Sequence, residues 1–86
     1  MPIHLTERFV RQYGRLPKSV QGKVDKGLRQ LDAYFKHPGL RTHPVEGAAG
    51  VFEAYVDAKH CMTYERRGNV LVMRNVDNHG ECLKNP

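Results

Sequence analysis

The sequence contains no tryptophan, only three phenylalanines and four tyrosines, and no long apolar run. A chain of 86 residues buries only about 60–65% of its unfolded surface, so a deep cavity around a large cofactor is not expected. No apolar stretch approaches the roughly 20 residues that cross a bilayer. The first residues, MPIHLTERF, lack the basic start and apolar block of a secretory signal. These absences favour one cytoplasmic domain over residues 1–86, with no cofactor and no membrane partner.

Cysteine is also scarce, and acidic residues are few in the first half of the chain. Cys61 and Cys82 are the two cysteines, too few for a disulfide framework and compatible with a reducing compartment. Residues 1–43 carry nine Lys/Arg against three Asp/Glu, whereas residues 44–86 carry five against six. A basic half suits an acidic partner, either nucleic acid or an acidic protein segment, although a solvated helical surface has the same composition.

Two helices are predicted in the first half of the chain. Thr6 is suited to cap a helix over residues 7–15, which has apolar side chains on one face and arginines on another. A second helix is predicted from Pro17, and Pro38-Gly39 ends it. Its apolar residues recur at helical spacing along Val20, Val24, Leu28, Leu31 and Phe35. The short link at LPK predicts an antiparallel helical hairpin.

The second half has the alternating pattern of an antiparallel sheet. Strands are predicted over residues 51–57, 60–66 and 69–76, with extended segments at 40–46 and, as an edge strand, at 3–5. Alternation directs one set of side chains toward the helices: Phe52, Ala54, Val56, Met62, Tyr64, Leu71 and Met73. The predicted class is α+β, with the helical hairpin on one face of an antiparallel sheet of about four strands. The other face is expected to be polar and uncovered.

The register of the last two strands decides which polar side chains meet. A two-residue turn at Arg67-Gly68 would pair residue 66 with residue 69. Cys61 would then lie opposite Arg74, and His60 would lie near Asn75. This register places Arg74 on the polar face.

Three segments, in this order, resemble the RelE/ParE toxin superfamily: FVRQYGRLPKSVQGKVDKGLRQL, HPGLRTHPVEGAAGVFEAYVD and MTYERRGNVLVMRNVDNHGECLKNP. The resemblance covers nearly the whole chain and implies the same helical hairpin on an antiparallel sheet. It also implies a toxin that a cognate antitoxin neutralises by wrapping it. RelE-like members cut messenger RNA on the ribosome, whereas ParE-like members inhibit DNA gyrase. The closing NH…LKNP favours the RelE-like branch.

The resemblance carries over to individual residues only in part. His79 matches the terminal histidine that several members use as acid or base, and His43-Pro44 is similar to the histidine stretch of a YafQ-like branch. Glu46 lies near a carboxylate that some members use. Cys61 stands where many relatives have a phosphate-binding arginine, and Gly80 where many have aspartate. The histidines favour an enzyme, and the departures favour the alternative, a non-catalytic ParE-like or degenerate protein of the same fold.

RNA cleavage needs a base for the 2′-hydroxyl, an acid for the leaving 5′-oxygen and cations for the transition state, and it requires no metal. His79 is the leading acid–base candidate, because a free imidazole titrates near ~6.5. The supporting catalytic candidates are His60, His43, Glu53 and Arg74. The residues predicted to bind RNA are Arg41, Lys59, Tyr55, Arg8, Arg11, Arg15, Lys18 and Lys23. Each of them also has an ordinary explanation as solvated surface.

A metal site is the competing interpretation of the histidines and cysteines. His60, Cys61, His79 and Cys82 together offer four zinc ligands. Adjacent residues of a strand point to opposite faces, however, which argues against a shared ion at His60 and Cys61. The resemblance to the RelE/ParE superfamily, together with these residues, implies a ribosome-dependent endoribonuclease without a metal, whose partners are an antitoxin, the ribosome and messenger RNA.

Overall fold

The computed structural model describes residues 1–86 as five strands and three α-helices. The strands are β1 (Ile3–Leu5), β2 (His43–Pro44), β3 (Val51–Tyr55), β4 (His60–Arg67) and β5 (Val70–Asn78). The helices are α1 (Glu7–Arg15), α2 (Lys18–Ala33) and α3 (His79–Lys84), and a 3₁₀ turn at Pro38–Leu40 precedes β2. None of the helices combines the length and apolar character that a bilayer span requires.

The strands form a single mixed sheet in the order β1-β5-β4-β3-β2. All neighbours are antiparallel except β1, which runs parallel to β5. The predicted α+β class and the edge strand at residues 3–5 are confirmed. The sheet has five strands rather than about four, because a two-residue segment at His43–Pro44 also pairs with β3.

The core lies between the helical hairpin and one face of the sheet. α1 begins as predicted, because the Thr6 hydroxyl accepts a hydrogen bond from the Phe9 N–H at 3.2 Å. The same hydroxyl donates to the Met73 carbonyl at 2.7 Å, which ties the start of α1 to β5. α2 ends at Ala33, before the predicted stop at Pro38-Gly39. The buried apolar cluster contains Phe9, Val20, Val24, Leu31, Leu40, Ala54, Val56, Met62, Tyr64, Leu71, Met73 and Val76. Phe52 packs against it, so the predicted core face is confirmed.

The predicted turn between β4 and β5 is wrong by one residue. The turn residues are Gly68 and Asn69, so Arg67 pairs with Val70. Gly68 has φ +61°, the conformation that a two-residue hairpin loop with glycine at its first position requires.

A bulge in β5 then shifts the rest of the ladder. Arg74 is left without a partner on β4, and Cys61 pairs with Asp77 instead of Arg74. His60 pairs with Asn78 rather than lying near Asn75. A single extra residue in one strand reassigns every pair beyond it, so the predicted register fails through both the misplaced turn and the bulge.

The segment after β5 forms α3, which is not predicted from the sequence. The Asn78 side chain accepts a hydrogen bond from the Glu81 N–H at 3.0 Å and so caps the helix. α3 packs on the sheet face opposite α1 and α2, where the buried Asn75 amide donates to the Cys82 carbonyl at 2.8 Å. The expectation of an uncovered polar face is therefore wrong at this end of the sheet. The spacing of Asn78 and Glu81 matches a capping box, and this pattern could have predicted the start of α3 from the sequence.

Candidate active site

A buried carboxylate lies between two exposed imidazoles on the face that α3 partly covers. Glu53 in β3 is only 7% exposed. Its Oε2 is 3.1 Å from His43 Nε2, and its Oε1 is 3.1 Å from His79 Nε2. Both histidine side chains are 58% exposed. A carboxylate bonded at both oxygens orients both rings while leaving them open to solvent. We call this group the His43–Glu53–His79 trio.

Three separate elements position the trio. His43 lies on the edge strand β2 directly opposite Glu53 of β3. His79 is the first residue of α3, and its backbone N–H donates to the Lys59 carbonyl at 2.7 Å. The site therefore depends on the β2–β3 register and on the docking of α3, and neither follows from the spacing of these residues in the sequence.

The hydrogen bonds give the two imidazoles different roles. His43 Nδ1 is 3.0 Å from the Arg41 carbonyl, so both of its ring nitrogens face acceptors. Both acceptors receive a hydrogen bond only from the doubly protonated ring. His79 bonds Glu53 through Nε2 alone. With Nε2 donating, Nδ1 of His79 presents its lone pair to solvent.

Cys61 completes the floor of the site. Its Sγ, a carboxylate oxygen of Glu53 and a ring nitrogen of His79 all lie within 4.8 Å of one another. The neighbouring Cys82 thiol, burial and the negative Glu53 raise the pKa of Cys61, so the thiol remains protonated at neutral pH and is not a nucleophile. Strand alternation, which puts Cys61 on the same face as Glu53, could have located it in the site.

Arg74 is not placed beside the trio. Its guanidinium donates to the backbone oxygen of Pro86 at 3.1 Å and to Glu65 Oε1 at 3.3 Å. The Thr63 hydroxyl donates to the same Pro86 oxygen at 2.8 Å. Arg74 therefore holds the end of the chain against the sheet, and its predicted position opposite Cys61 is wrong.

Arg41 and Tyr55 each lie two positions along the chain from a member of the trio, His43 and Glu53 respectively. The Arg41 guanidinium stacks over the Tyr55 ring, 4.7 Å from its centroid. Tyr55 pairs with Cys61 and follows Glu53 by two positions on the same strand face. Lys59, whose side chain is exposed, supplies the carbonyl that receives the His79 amide. Arg41 thus contacts His43 through its carbonyl, Lys59 contacts His79 in the same way, and Tyr55 lies on the strand face of Glu53.

His60 lies outside the trio, on the strand face opposite Cys61. Its Nδ1 is 2.9 Å from Asp57 Oδ1, and its side chain is only 18% exposed. Burial raises the pKa of Asp57, but hydrogen bonds from the His60 ring and from the Lys59 and His60 amides lower it to about 2. The four-ligand zinc set considered from the sequence is therefore split, because His60 is committed to Asp57.

The predicted RNA-binding residues of the helical hairpin are distributed over a separate surface. Arg8 donates to the Asn85 carbonyl at 2.5 Å, and Lys23 lies 3.5 Å from Asp57. The remaining members of this group, Arg11, Arg15 and Lys18, are exposed. Glu46, the other carboxylate considered from the sequence, is also exposed.

No protein-family model matches the sequence, and neither does any curated protein sequence. Several solved structures do match. YafQ from E. coli has a TM-score of 0.78 at 14% identity, over 92% of this chain and 93% of that chain. The YoeB/ParE toxin from Agrobacterium tumefaciens has a TM-score of 0.75 at 18% identity, over 92% and 99%.

A more distant likeness extends to an archaeal protein. A chain of the RelB-RelE antitoxin–toxin complex from Methanococcus jannaschii has a TM-score of 0.71 at 11% identity, over 90% of this chain and 91% of that chain. At such identities the likeness is one of fold. It confirms the fold that the sequence resemblance implied: this chain has the fold of the RelE/ParE toxin superfamily.

Proposed function

We propose that this protein is the toxin of a toxin–antitoxin pair and acts as an endoribonuclease on messenger RNA at the ribosome, in the cytoplasm. The observation that carries the proposal is the His43–Glu53–His79 trio, with two exposed imidazoles 3.1 Å from one buried carboxylate. An antitoxin partner is supported by structural neighbours described as antitoxin–toxin complexes. Inhibition of translation follows from cleavage of the messenger.

In this proposal His79 is the general base. Its Nδ1 takes the proton of a ribose 2′-hydroxyl while Glu53 holds Nε2–H and stabilises the imidazolium that forms. The 2′-oxygen then forms a bond to the adjacent phosphorus as the bond from phosphorus to the 5′-oxygen breaks. The products are a 2′,3′-cyclic phosphate and a 5′-hydroxyl.

His43 is the general acid. In the doubly protonated ring, Nδ1–H exchanges the Arg41 carbonyl for the departing 5′-oxygen and releases its proton there, which balances the proton that His79 removes. A buried carboxylate beside a phosphate would otherwise repel the substrate. In its protonated form, His43 offsets the charge of Glu53, because the two groups are 3.1 Å apart.

The border of the site supplies substrate contacts. Tyr55, 37% exposed, offers a ring on which a base can stack, a contact worth roughly 1–3 kcal/mol. Arg41 and Lys59 supply positive charge for the RNA backbone, and Arg11, Arg15 and Lys18 offer a further basic surface for ribosomal RNA. This electrostatic component weakens as salt rises.

Mapping of transcript ends after induced expression tests the proposal. We expect growth arrest with cuts inside translated codons and 2′,3′-cyclic phosphate ends. His79→Ala and His43→Ala should each slow cleavage by about 10²- to 10⁴-fold. His4→Gln is the matched control, since His4 is exposed on β1 at the opposite edge of the sheet. Growth arrest without transcript cuts, together with impaired gyrase, would instead support the non-catalytic alternative. Cys61 in place of an arginine favours that alternative.

A further inference from the structure

Glu53, Cys61 and His79 bring three different metal-ligand types to one point, with their ligand atoms within 4.8 Å of one another. We propose that these three residues bind one Zn²⁺ ion and that the zinc-bound protein is inactive as a ribonuclease. The binding stands on this geometry alone, whereas the inactivation rests on the proposed function.

The spacing is close to that of a zinc centre. Ligands at zinc distances of about 2.0–2.3 Å in tetrahedral geometry lie about 3.3–3.6 Å from one another. The Glu53 oxygen and His79 nitrogen are already 3.1 Å apart. Since the three ligand atoms lie within 4.8 Å of one another, the Cys61 sulfur needs to move by at most about 1.2–1.5 Å to join them. The three ligands come from β3, β4 and α3, so the folded chain, not a local loop, assembles them.

The donor atoms select the metal. A thiolate and an imidazole beside one carboxylate suit Zn²⁺, whereas Mg²⁺ and Ca²⁺ prefer oxygen ligands alone. Three protein ligands leave the fourth position of the ion open to water or a phosphate oxygen. His43 bonds the other oxygen of Glu53 at 3.1 Å. It is therefore a positioning residue that orients the ligating carboxylate.

The site is reachable from solvent through His79. Its side chain is 58% exposed, whereas that of Glu53 is 10% exposed, so an incoming ion meets the imidazole first. Binding releases the Cys61 thiol proton and occupies Nε2 of His79, the nitrogen that Glu53 otherwise holds. The remaining proton of a neutral, metal-bound imidazole then sits on Nδ1, which removes the lone pair that the base requires. The His79 imidazole therefore cannot bind zinc and act as the general base at the same time.

Metal titration of the full chain tests the binding. Calorimetry with ZnCl₂ should give one ion per chain, and CoCl₂ should give a thiolate-to-cobalt absorption band. Cys61→Ser should abolish the band, and His79→Gln should weaken zinc binding about 10-fold or more. His79 is exposed, so His79→Gln remains informative even if Cys61→Ser fails to fold. His4→Gln is the matched control and should bind zinc as the wild type does.

Three results would overturn the zinc proposal: no stoichiometric binding, a cobalt band that persists in Cys61→Ser, or equal weakening in His4→Gln. A second assay follows RNA cleavage with ZnCl₂ and then with a zinc-selective chelator. We expect loss and recovery of cleavage in the wild type. Zinc binding without any cleavage activity would refute only the proposed function. Cleavage that persists in the zinc-saturated protein would refute the inactivation.

Discussion

Asn75 joins three elements, and its replacement by alanine should loosen the helix that carries His79. The side chain is fully buried in β5. Its Oδ1 accepts a hydrogen bond from Gln12 Nε2 at 2.5 Å. Its Nδ2 donates to the carbonyls of Cys82 at 2.8 Å and Asn85 at 3.3 Å. α1, β5 and α3 therefore meet at one amide group.

The size of the effect follows from these contacts. Loss of the bond to Gln12 should cost about 1 kcal/mol, and stranding the buried Cys82 carbonyl a further 1–3 kcal/mol or so. We expect Asn75→Ala to lower the free energy of unfolding by about 2–4 kcal/mol. That is a large share of the roughly 5–15 kcal/mol that stabilises a typical domain.

Urea unfolding followed by circular dichroism measures this loss, and hydrogen exchange of the α3 amides reports where it acts. Asn69→Ala, at an exposed turn position, is the control and should change stability by no more than about 0.5 kcal/mol. Adding Gln12→Ala to Asn75→Ala should cost less than Gln12→Ala alone, because the two residues share a bond. A loss below about 1 kcal/mol, or unchanged exchange in α3, would refute the reasoning.

Three further changes have definite expected outcomes. Asp57→Asn should cost about 1–2 kcal/mol at pH 7. Because the pKa of Asp57 is lowered to about 2, the difference from wild type in urea unfolding should shrink as the pH falls from about 4 to 2 and vanish only below the folded pKa; a constant difference would contradict this. Gly22→Ala, with nothing within 4 Å of the added Cβ, should raise the melting temperature through a gain of about 0.5–1 kcal/mol. Gly27→Ala should show no such gain, because its Cβ would lie 2.7 Å from Met62 Cε in the core. Thr6→Ala should lower stability by about 1–2 kcal/mol in urea, and a neutral result would show that the cap is dispensable.

The helical hairpin could be predicted closely because its signals are local. Thr6 sets the start of α1, and the apolar period of α2 needs no knowledge of the rest of the chain. The core-facing side chains of the strands could be predicted equally well from the sequence, since their alternation depends only on strand direction.

The pairing register of the strands was harder to predict from the sequence. The choice between Arg67-Gly68 and Gly68-Asn69 as the turn changes every pair in β4 and β5, and the bulge at Arg74 changes them again beyond it. α3 was missed because it is a single short helix with one buried residue, Cys82. Its stability comes from packing on the sheet rather than from its own sequence.

The residues of the candidate site could be predicted from the sequence, but their contacts could not. His43, Glu53 and His79 were named from residue type and resemblance, but their common contact depends on the β2–β3 register and on α3. Cys61 was interpreted as a departure from relatives and as one of four possible zinc ligands, and strand alternation already put it on the face of Glu53; only the fold brought it within 4.8 Å of Glu53 and His79. Arg74 and His60 are not part of the trio, because Arg74 bonds Glu65 and His60 bonds Asp57.

The parallel pairing of β1 with β5 also constrains how the polypeptide is made. Ile3 finds its ladder partner only when Leu71 has been synthesised, so the earliest strand must wait for the latest one. Contacts of such wide sequence separation form slowly. His79 is synthesised later still, so the His43–Glu53–His79 trio cannot assemble before β5 is complete.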